Sequence, residues 1–203
     1  MFVQSIDLPP SVEASYTYLL GLFLGDGCLA PFPRTWGLRI SLDAAYPGII
    51  HRCRSAIETV VPGRRITVVR RRHSACIVVG AYWKRWPELL PHGVGRKHLR
   101  PITLAPWQEA VVSRHPWQML RGLLESDGCR SINRVRVDLP SGRRADYEYP
   151  RWYFVNASED ILGIFGTTCD LVGVRWTRSR QRMISVSRRA SVALLDAHVG
   201  PKA

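Results

Sequence analysis

The chain has 203 residues, 46% of them hydrophobic, including 7 tryptophans, which excludes a disordered or fibrous polymer and allows one large domain or two of about a hundred residues each. Its formal charge is +13, with 29 Lys and Arg against 16 Asp and Glu and nearly all of the positive charge on Arg, so an anionic partner is expected and a nucleic acid foremost. The 5 cysteines (Cys28, Cys53, Cys76, Cys129, Cys169) form no CxxC pair, and no stretch resembles a signal peptide or spans a bilayer; the expectation is a cytoplasmic protein, nucleoid-associated when bound, without disulfide framework, zinc site or membrane partner.

In chain order, Ser11 is placed as the N-cap of a mostly apolar helix over 11–25. Residues 36–42 alternate, with Leu38, Ile40 and Leu42 on one face and Arg39 and Ser41 on the other, which is strand periodicity. Ile49, Ile50, Cys53 and Ile57 recur at helical spacing over 47–60, and Pro62-Gly63 makes a turn. Residues 65–72 read as a very basic strand, 76–79 as a short apolar strand and 82–90 as a helix. Pro101 and Pro106 bracket a linker that cannot continue a helix and divide the chain into 1–104 and 105–203. Beyond it, 116–126 reads as a helix. Residues 133–139 read as a strand with Val135, Val137 and Leu139 inward and Arg134, Arg136 and Asp138 outward. Residues 140–149 read as a long hairpin loop and 151–155 as a strand. Ser158-Glu159-Asp160 caps a helix to residue 171, 172–177 and 183–187 are strands, and 190–198 is the final helix.

The most informative feature is a repeat. Leu19-Leu20-Gly21-Leu22-Phe23-Leu24-Gly25-Asp26-Gly27 returns half a chain later as Leu120-Arg121-Gly122-Leu123-Leu124-Glu125-Ser126-Asp127-Gly128. A second echo pairs Leu89-Leu90, a loop and Lys97 with Leu194-Leu195, a loop and Lys202. Glycine inside a helix costs roughly 0.5–1 kcal/mol, yet small residues four apart recur in both copies. They leave one helix face bare, so the two helices are expected to pack against each other there. Gly27 and Gly128 read as helix C-terminal glycines. Asp26 and Asp127 then sit in the last turn, where the helix dipole disfavours an anion by roughly 0.3–1 kcal/mol. Two acids placed unfavourably, twice, call for a compensating charge, and a divalent cation supplies it. Cys28 and Cys129 follow the repeated Asp-Gly and are expected to be partly buried. Asp43 and Asn156 each follow an apolar strand in matching positions near the site and are left outside the candidate set.

Both nonapeptides resemble the LAGLIDADG motif of the homing endonucleases; the second is the nearer match, and the first carries Leu24 where the motif has an acid. The resemblance implies an α+β fold of two pseudo-symmetric αββαββα repeats with the motif helices at their interface. It implies two antiparallel sheets forming a saddle over double-stranded DNA, in a monomer with internal pseudo-two-fold symmetry. The activity implied is site-specific double-strand cleavage by metal-assisted phosphodiester hydrolysis. Asp26 and Asp127 would hold Mg²⁺ with the carbonyls of Gly25 and Ser126, Mn²⁺ or Ca²⁺ being able to substitute for binding. Lys97 and Lys202 are the candidates for stabilising charge on the phosphate. The sheet arginines Arg39, Arg70, Arg71, Arg72, Arg134, Arg136, Arg175, Arg178, Arg180 and Arg182 form the expected DNA-contact set. The alternatives are a non-cleaving LAGLIDADG-type transcription regulator and an RNA maturase.

Overall fold

Leu19, Leu20, Leu22, Phe23 and Leu24 are all fully buried. They lie on one helix that is apolar around its whole circumference, which is stable only where protein surrounds it. The computed structural model describes residues 6–138 and 143–203 and shows why. This helix, α1 (Pro10–Asp26), lies at the centre of the molecule. It is followed by β1 (Gly27–Phe32), β2 (Thr35–Asp43), α2 (Pro47–Val60), β3 (Ile66–Arg70), β4 (Cys76–Tyr82) and the short α3 (Trp86–Leu89). After α4 (Pro106–Arg114) the order repeats as α5 (Pro116–Asp127), β5 (Gly128–Asp138), β6 (Arg144–Val155), α6 (Glu159–Leu171), β7 (Thr177–Arg180), β8 (Met183–Val186) and α7 (Arg189–His198). Both sheets are antiparallel and four-stranded, in the equivalent orders β1-β2-β4-β3 and β5-β6-β8-β7. The fold is α+β with two αββαββα repeats, as the resemblance implied.

The two motif helices α1 and α5 meet backbone to backbone. A Cβ added at Gly21 would stand 2.7 Å from the Met119 carbonyl, and one at Gly122 would stand 2.9 Å from the Gly21 Cα. One face of each sheet is packed on helices: Leu38, Ile40 and Leu42 in the first, Trp152, Phe154 and Ile184 in the second. Phe154 stacks on Phe165 of α6, with centroids 4.4 Å apart. The opposite sheet faces are open. No helix among the described residues is long and apolar enough to cross a membrane.

Several local expectations are corrected. β1 escaped notice because it is short, carries Pro31 and occupies a sheet edge, where a missing N–H is tolerated. β4 runs on to Tyr82, so the helix expected over 82–90 shrinks to Trp86–Leu89. Pro106 opens α4 at its first helical position instead of sitting in an irregular linker. Arg144 to Tyr149 belong to β6, paired with Asp138 to Asn133, so this part of the expected loop is ladder; 140–142, like Leu139, lie outside the described residues. No strand forms over 172–176. There Gly173, at φ 71°, reverses the chain, and Val174 N–H returns to the Cys169 carbonyl at 2.9 Å, burying Val174 under the helix end. Cys28 and Cys129 are exposed, not partly buried.

Candidate active site

Asp26 and Asp127 are the last residues of α1 and α5. The glycines after them are not left-handed caps, since Gly27 has φ −94° and Gly128 φ −93°. They are needed for space: a Cβ at 27 would lie 2.5 Å from the Phe23 Cα, and one at 128 would lie 2.6 Å from the Leu124 Cα. The chain therefore turns directly from helix into strand, and β1 and β5 start beside the two carboxylates.

The two acids face two cavities on either side of the helix pair, and each cavity is built crosswise. Asp127 shares the first, of ≈ 440 Å³, with Gly25, Lys97, Asn156 and Arg182. Asp26 shares the second, of ≈ 300 Å³, with Ser126, Lys202, Asp43 and Tyr46. Each carboxylate thus stands beside the residue that precedes the other carboxylate. Gly25 permits this, because a Cβ there would come to 3.0 Å from Asp127 Oδ2 and closer still to Ser126. Lys97 Nζ donates to the carbonyls of Gly25 (3.0 Å) and Gly27 (2.6 Å), and Lys202 Nζ donates to the Ser126 carbonyl at 3.0 Å. Asn156 Nδ2 donates to Asp127 Oδ2 at 2.7 Å. Asp43, at the matching end of β2, lines the Asp26 cavity, so the two halves differ here in charge.

Burial pushes the Asp26 carboxyl up to about 6, the nearby Asp127 charge adds to this, and Lys202 and Lys97 oppose it. Burial also raises Asp127, offset by the Asn156 hydrogen bond and by both lysines. Lys97 is lowered to about 8 by burial, and Lys202 is lowered for the same reason. These are two acids and two ammoniums held in a partly dry place, a combination associated with functional sites.

Both lysines are delivered by shaped segments. The loop from His92 to Arg100 wraps the Arg100 guanidinium, which donates to the carbonyls of His92 (2.6 Å), Gly95 (2.6 Å) and Gly93 (3.2 Å). Gly93 and Gly95 supply the positive φ values this loop requires. His92 is buried against Phe23 with neither ring nitrogen partnered, and burial lowers it to about 4. At the other end, the Ala203 carbonyl accepts from Ile49 N–H in the first turn of α2 at 3.0 Å, tying down the residue after Lys202.

The asymmetry between Leu24 and Glu125 also has a structural reading. Leu24 is fully buried in apolar surroundings. Glu125 is buried too, but it accepts from Tyr18 Oη at 2.5 Å and from Arg52 Nη2 at 2.8 Å, both from the first repeat. Asn156 was legible only as a polar residue ending a strand; nothing in the sequence showed its hydrogen bond to Asp127.

The arginines divide by sheet face. Arg39 is exposed on the open face of the first sheet, and Arg71 continues that face by donating its N–H to the Cys76 carbonyl. Arg72 lies in the turn after β3. Arg70 pairs with Ile77 on the helix-packed side of the ladder. Within the described residues 133–138 the expected orientation is reversed: Arg134 and Arg136 share a face with buried Trp152 and Phe154, and Val135 and Val137 lie on the open face, while Leu139 lies outside the described residues. Arg134 pairs with Glu148 at 2.6 Å and Arg136 with Asp146 at 3.0 Å. Arg178 is tied to Glu159 of α6. Arg180 faces Met183 on the open side, Arg175 precedes β7 with its N–H on Ser191 Oγ, and Arg182 lines the Asp127 cavity.

Among solved structures the chain is similar to I-DmoI in complex with DNA and Mn, at 16% identity and TM-score 0.56 over 93% of this chain and 97% of that one. It is similar to the LAGLIDADG meganuclease I-AabMI bound to uncleaved DNA, at 12% identity and TM-score 0.55 over 90% of this chain and 82% of that one. A third similar structure is the I-SmaMI LAGLIDADG homing endonuclease bound to cleaved DNA, at 9% identity and TM-score 0.53 over 92% of this chain and 83% of that one. The chain has the LAGLIDADG fold. No family model and no curated protein matches the sequence. The LAGLIDADG likeness is thus one of architecture, carried at the sequence level by the two nonapeptides.

Proposed function

We propose that this chain is a site-specific, divalent-metal-dependent double-strand DNA endonuclease, acting as a monomer of two half-domains, 1–104 and 105–203. The observation that carries this reading is the crossed pairing of each motif carboxylate with the other motif helix, each pairing flanked by a lysine.

The residues fit a hard cation. The donors are carboxylate and backbone carbonyl oxygens. One carboxylate and one carbonyl on each side match the usual Mg²⁺ donor set, in which waters and phosphate oxygens complete the shell. Asp127 with the Gly25 carbonyl, and Asp26 with the Ser126 carbonyl, are the groups that would hold it, and Mn²⁺ or Ca²⁺ offers the same hard charge. When bound, the metal supplies a water of lowered pKa and neutralises charge on the leaving oxygen. The chain's own groups do the rest. Asn156 fixes the orientation of Asp127 through Oδ2. Lys97 and Lys202 carry positive charge into a site that must accept a phosphodiester, and Lys97, lowered to about 8, can give or take a proton at Nζ near neutral pH. The open sheet faces, with Arg39, Arg71 and Arg180, offer the duplex an approach free of covering helices.

The test is selection of bound duplexes from a random library in Ca²⁺, followed by incubation of the selected DNA with Mg²⁺ or Mn²⁺. Wild type is expected to cut both strands, and Asp26→Asn and Asp127→Asn are expected to bind within a few-fold of wild type and not to cut. Tight binding by wild type without any cleavage would favour the regulator reading instead.

A further inference from the structure

The two repeats share a strand order but not a reach. The β1–β2 ladder has its last pair at Phe32 and Thr35, whereas the β5–β6 ladder holds register from Gly128–Phe154 out to Asp138–Arg144. Both ladders start at an Asp-Gly, so both are measured from the same centre. At about 3.4 Å per residue, β5 extends roughly twice as far from the acids as β1, about ten base-pair rises against five. β8 pairs with β6 only from Trp152 to Val155, so the outer part of the β5–β6 ladder is a two-stranded ribbon projecting past the rest of its sheet.

The ribbon's faces differ in chemistry. Its carboxylates, Asp138, Asp146 and Glu148, all lie on the face continuous with buried Trp152, each beside an arginine: Asp138 with Arg144 at 3.1 Å, Asp146 with Arg136 and Glu148 with Arg134. The open face carries no carboxylate. It presents Asn133 opposite Tyr149 and Val135 opposite Tyr147, and nearer the centre Arg151, whose guanidinium lies 4.9 Å from the Tyr153 ring centroid and donates to Ser185 Oγ at 2.6 Å. Amide, hydroxyl and methyl groups can read base edges, as an uncommitted arginine can, but Arg134 and Arg136 lie on the other face and are paired with Glu148 and Asp146.

We propose that the C-terminal repeat reads a half-site about twice as long as the N-terminal one, its outer part recognised by Asn133, Tyr147 and Tyr149. Arg134 and Arg136, on the opposite face and paired with Glu148 and Asp146, do not contact DNA. The inference rests on the duplex-binding reading above and deepens it by assigning the residues that set specificity.

The test uses the full chain and the same Ca²⁺ selection from random duplexes, repeated for Asn133→Ala, Tyr149→Ala, Arg134→Ala and Arg136→Ala, each first matched to wild type in thermal midpoint. Wild type is expected to select an asymmetric sequence. Asn133→Ala and Tyr149→Ala should lose about 10-fold of base preference per affected position, confined to one end of the site. Arg134→Ala and Arg136→Ala should keep the wild-type preference and its salt dependence, because no phosphate contact is removed. Loss of terminal preference in the arginine variants with retention in Asn133→Ala and Tyr149→Ala overturns the inference and leaves the endonuclease reading intact. So does a site equally long on both sides of its centre. Failure of wild type to enrich any duplex overturns both.

Discussion

Replacing Gly122 by alanine puts one methyl group into the seam between the repeats. In an ordinary exposed helix this change stabilises by roughly 0.5–1 kcal/mol. Here the new Cβ would stand 2.9 Å from the Gly21 Cα and closer still to the Tyr18 carbonyl, both backbone atoms in a helix walled in on all sides. Neither can move without parting α1 from α5, so the cost is at the upper end of overpacking, about 3 kcal/mol, which exceeds the helix gain and leaves a net loss of about 2–2.5 kcal/mol. For a chain of this size each kcal/mol lowers the melting temperature by about 2–4 °C, so a fall of about 4–10 °C is expected for Gly122→Ala. The internal control is Gly163→Ala: Gly163 is exposed within α6, and its added Cβ meets nothing within 4 Å, so that variant should melt at or slightly above wild type. Scanning calorimetry of both variants without divalent ions decides the matter. Equal or higher stability of Gly122→Ala would refute a seam closed by backbone contact.

Other outcomes follow from the same geometry. Asp26 has its folded pKa raised to about 6, so the metal-free protein loses stability as pH rises from about 4 to about 6; Asp26→Asn should therefore melt higher than wild type at pH 7.5 without divalent ions, and Ca²⁺ should raise the wild-type midpoint more than the variant's. His92 shifts the opposite way, to about 4. Its contribution is present above the unfolded value near 6.5 and is lost as pH falls toward 4, so His92→Leu should flatten the acid side of the stability profile by up to about 3 kcal/mol, measured by urea unfolding at pH 4.5 and 7.5. Arg52→Met leaves Glu125 buried without its main cation and should cost about 3 kcal/mol, most of it recovered in the Arg52→Met/Glu125→Leu pair, which copies the apolar choice at Leu24. A double-mutant cycle by chemical denaturation measures that recovery.

The parts of the molecule that the sequence revealed are those written in local pattern. Small residues four apart predicted a helix pair meeting at Gly21 and Gly122, and that pair exists because a bare helix face has few other uses. Leu38, Ile40 and Leu42 were placed on a buried face by simple alternation. The same alternation misled at 133–138. On a two-stranded ribbon beyond the core neither face is deeply buried, and valine ceases to mark the inside: the ladder register puts Arg134 and Arg136 on the side of buried Trp152, beside Glu148 and Asp146. The acids and lysines could be named from the repeat, but their crossed arrangement could not, because it depends on the helices packing close enough for Gly25 to abut Asp127. Asn156 and the Tyr18–Glu125–Arg52 cluster are contacts between distant segments, and no spacing rule reports them.

Because each acid shares its cavity with a carbonyl-bearing residue from the opposite repeat, an isolated repeat would carry only half of either acid-lined cavity. Recombining this N-terminal repeat with a C-terminal repeat from another protein would preserve the crossed pairing of the acids only if the bare stripe at Gly21, Gly25, Gly122 and Ser126 were transplanted intact. The open-face side chains of the outer ribbon, Asn133, Val135, Tyr147 and Tyr149, lie apart from that stripe. The molecule thus separates a fixed hinge-pin of small residues from a projecting ribbon that does not touch it, and on the proposed duplex-binding reading that ribbon is where redesign of target preference belongs.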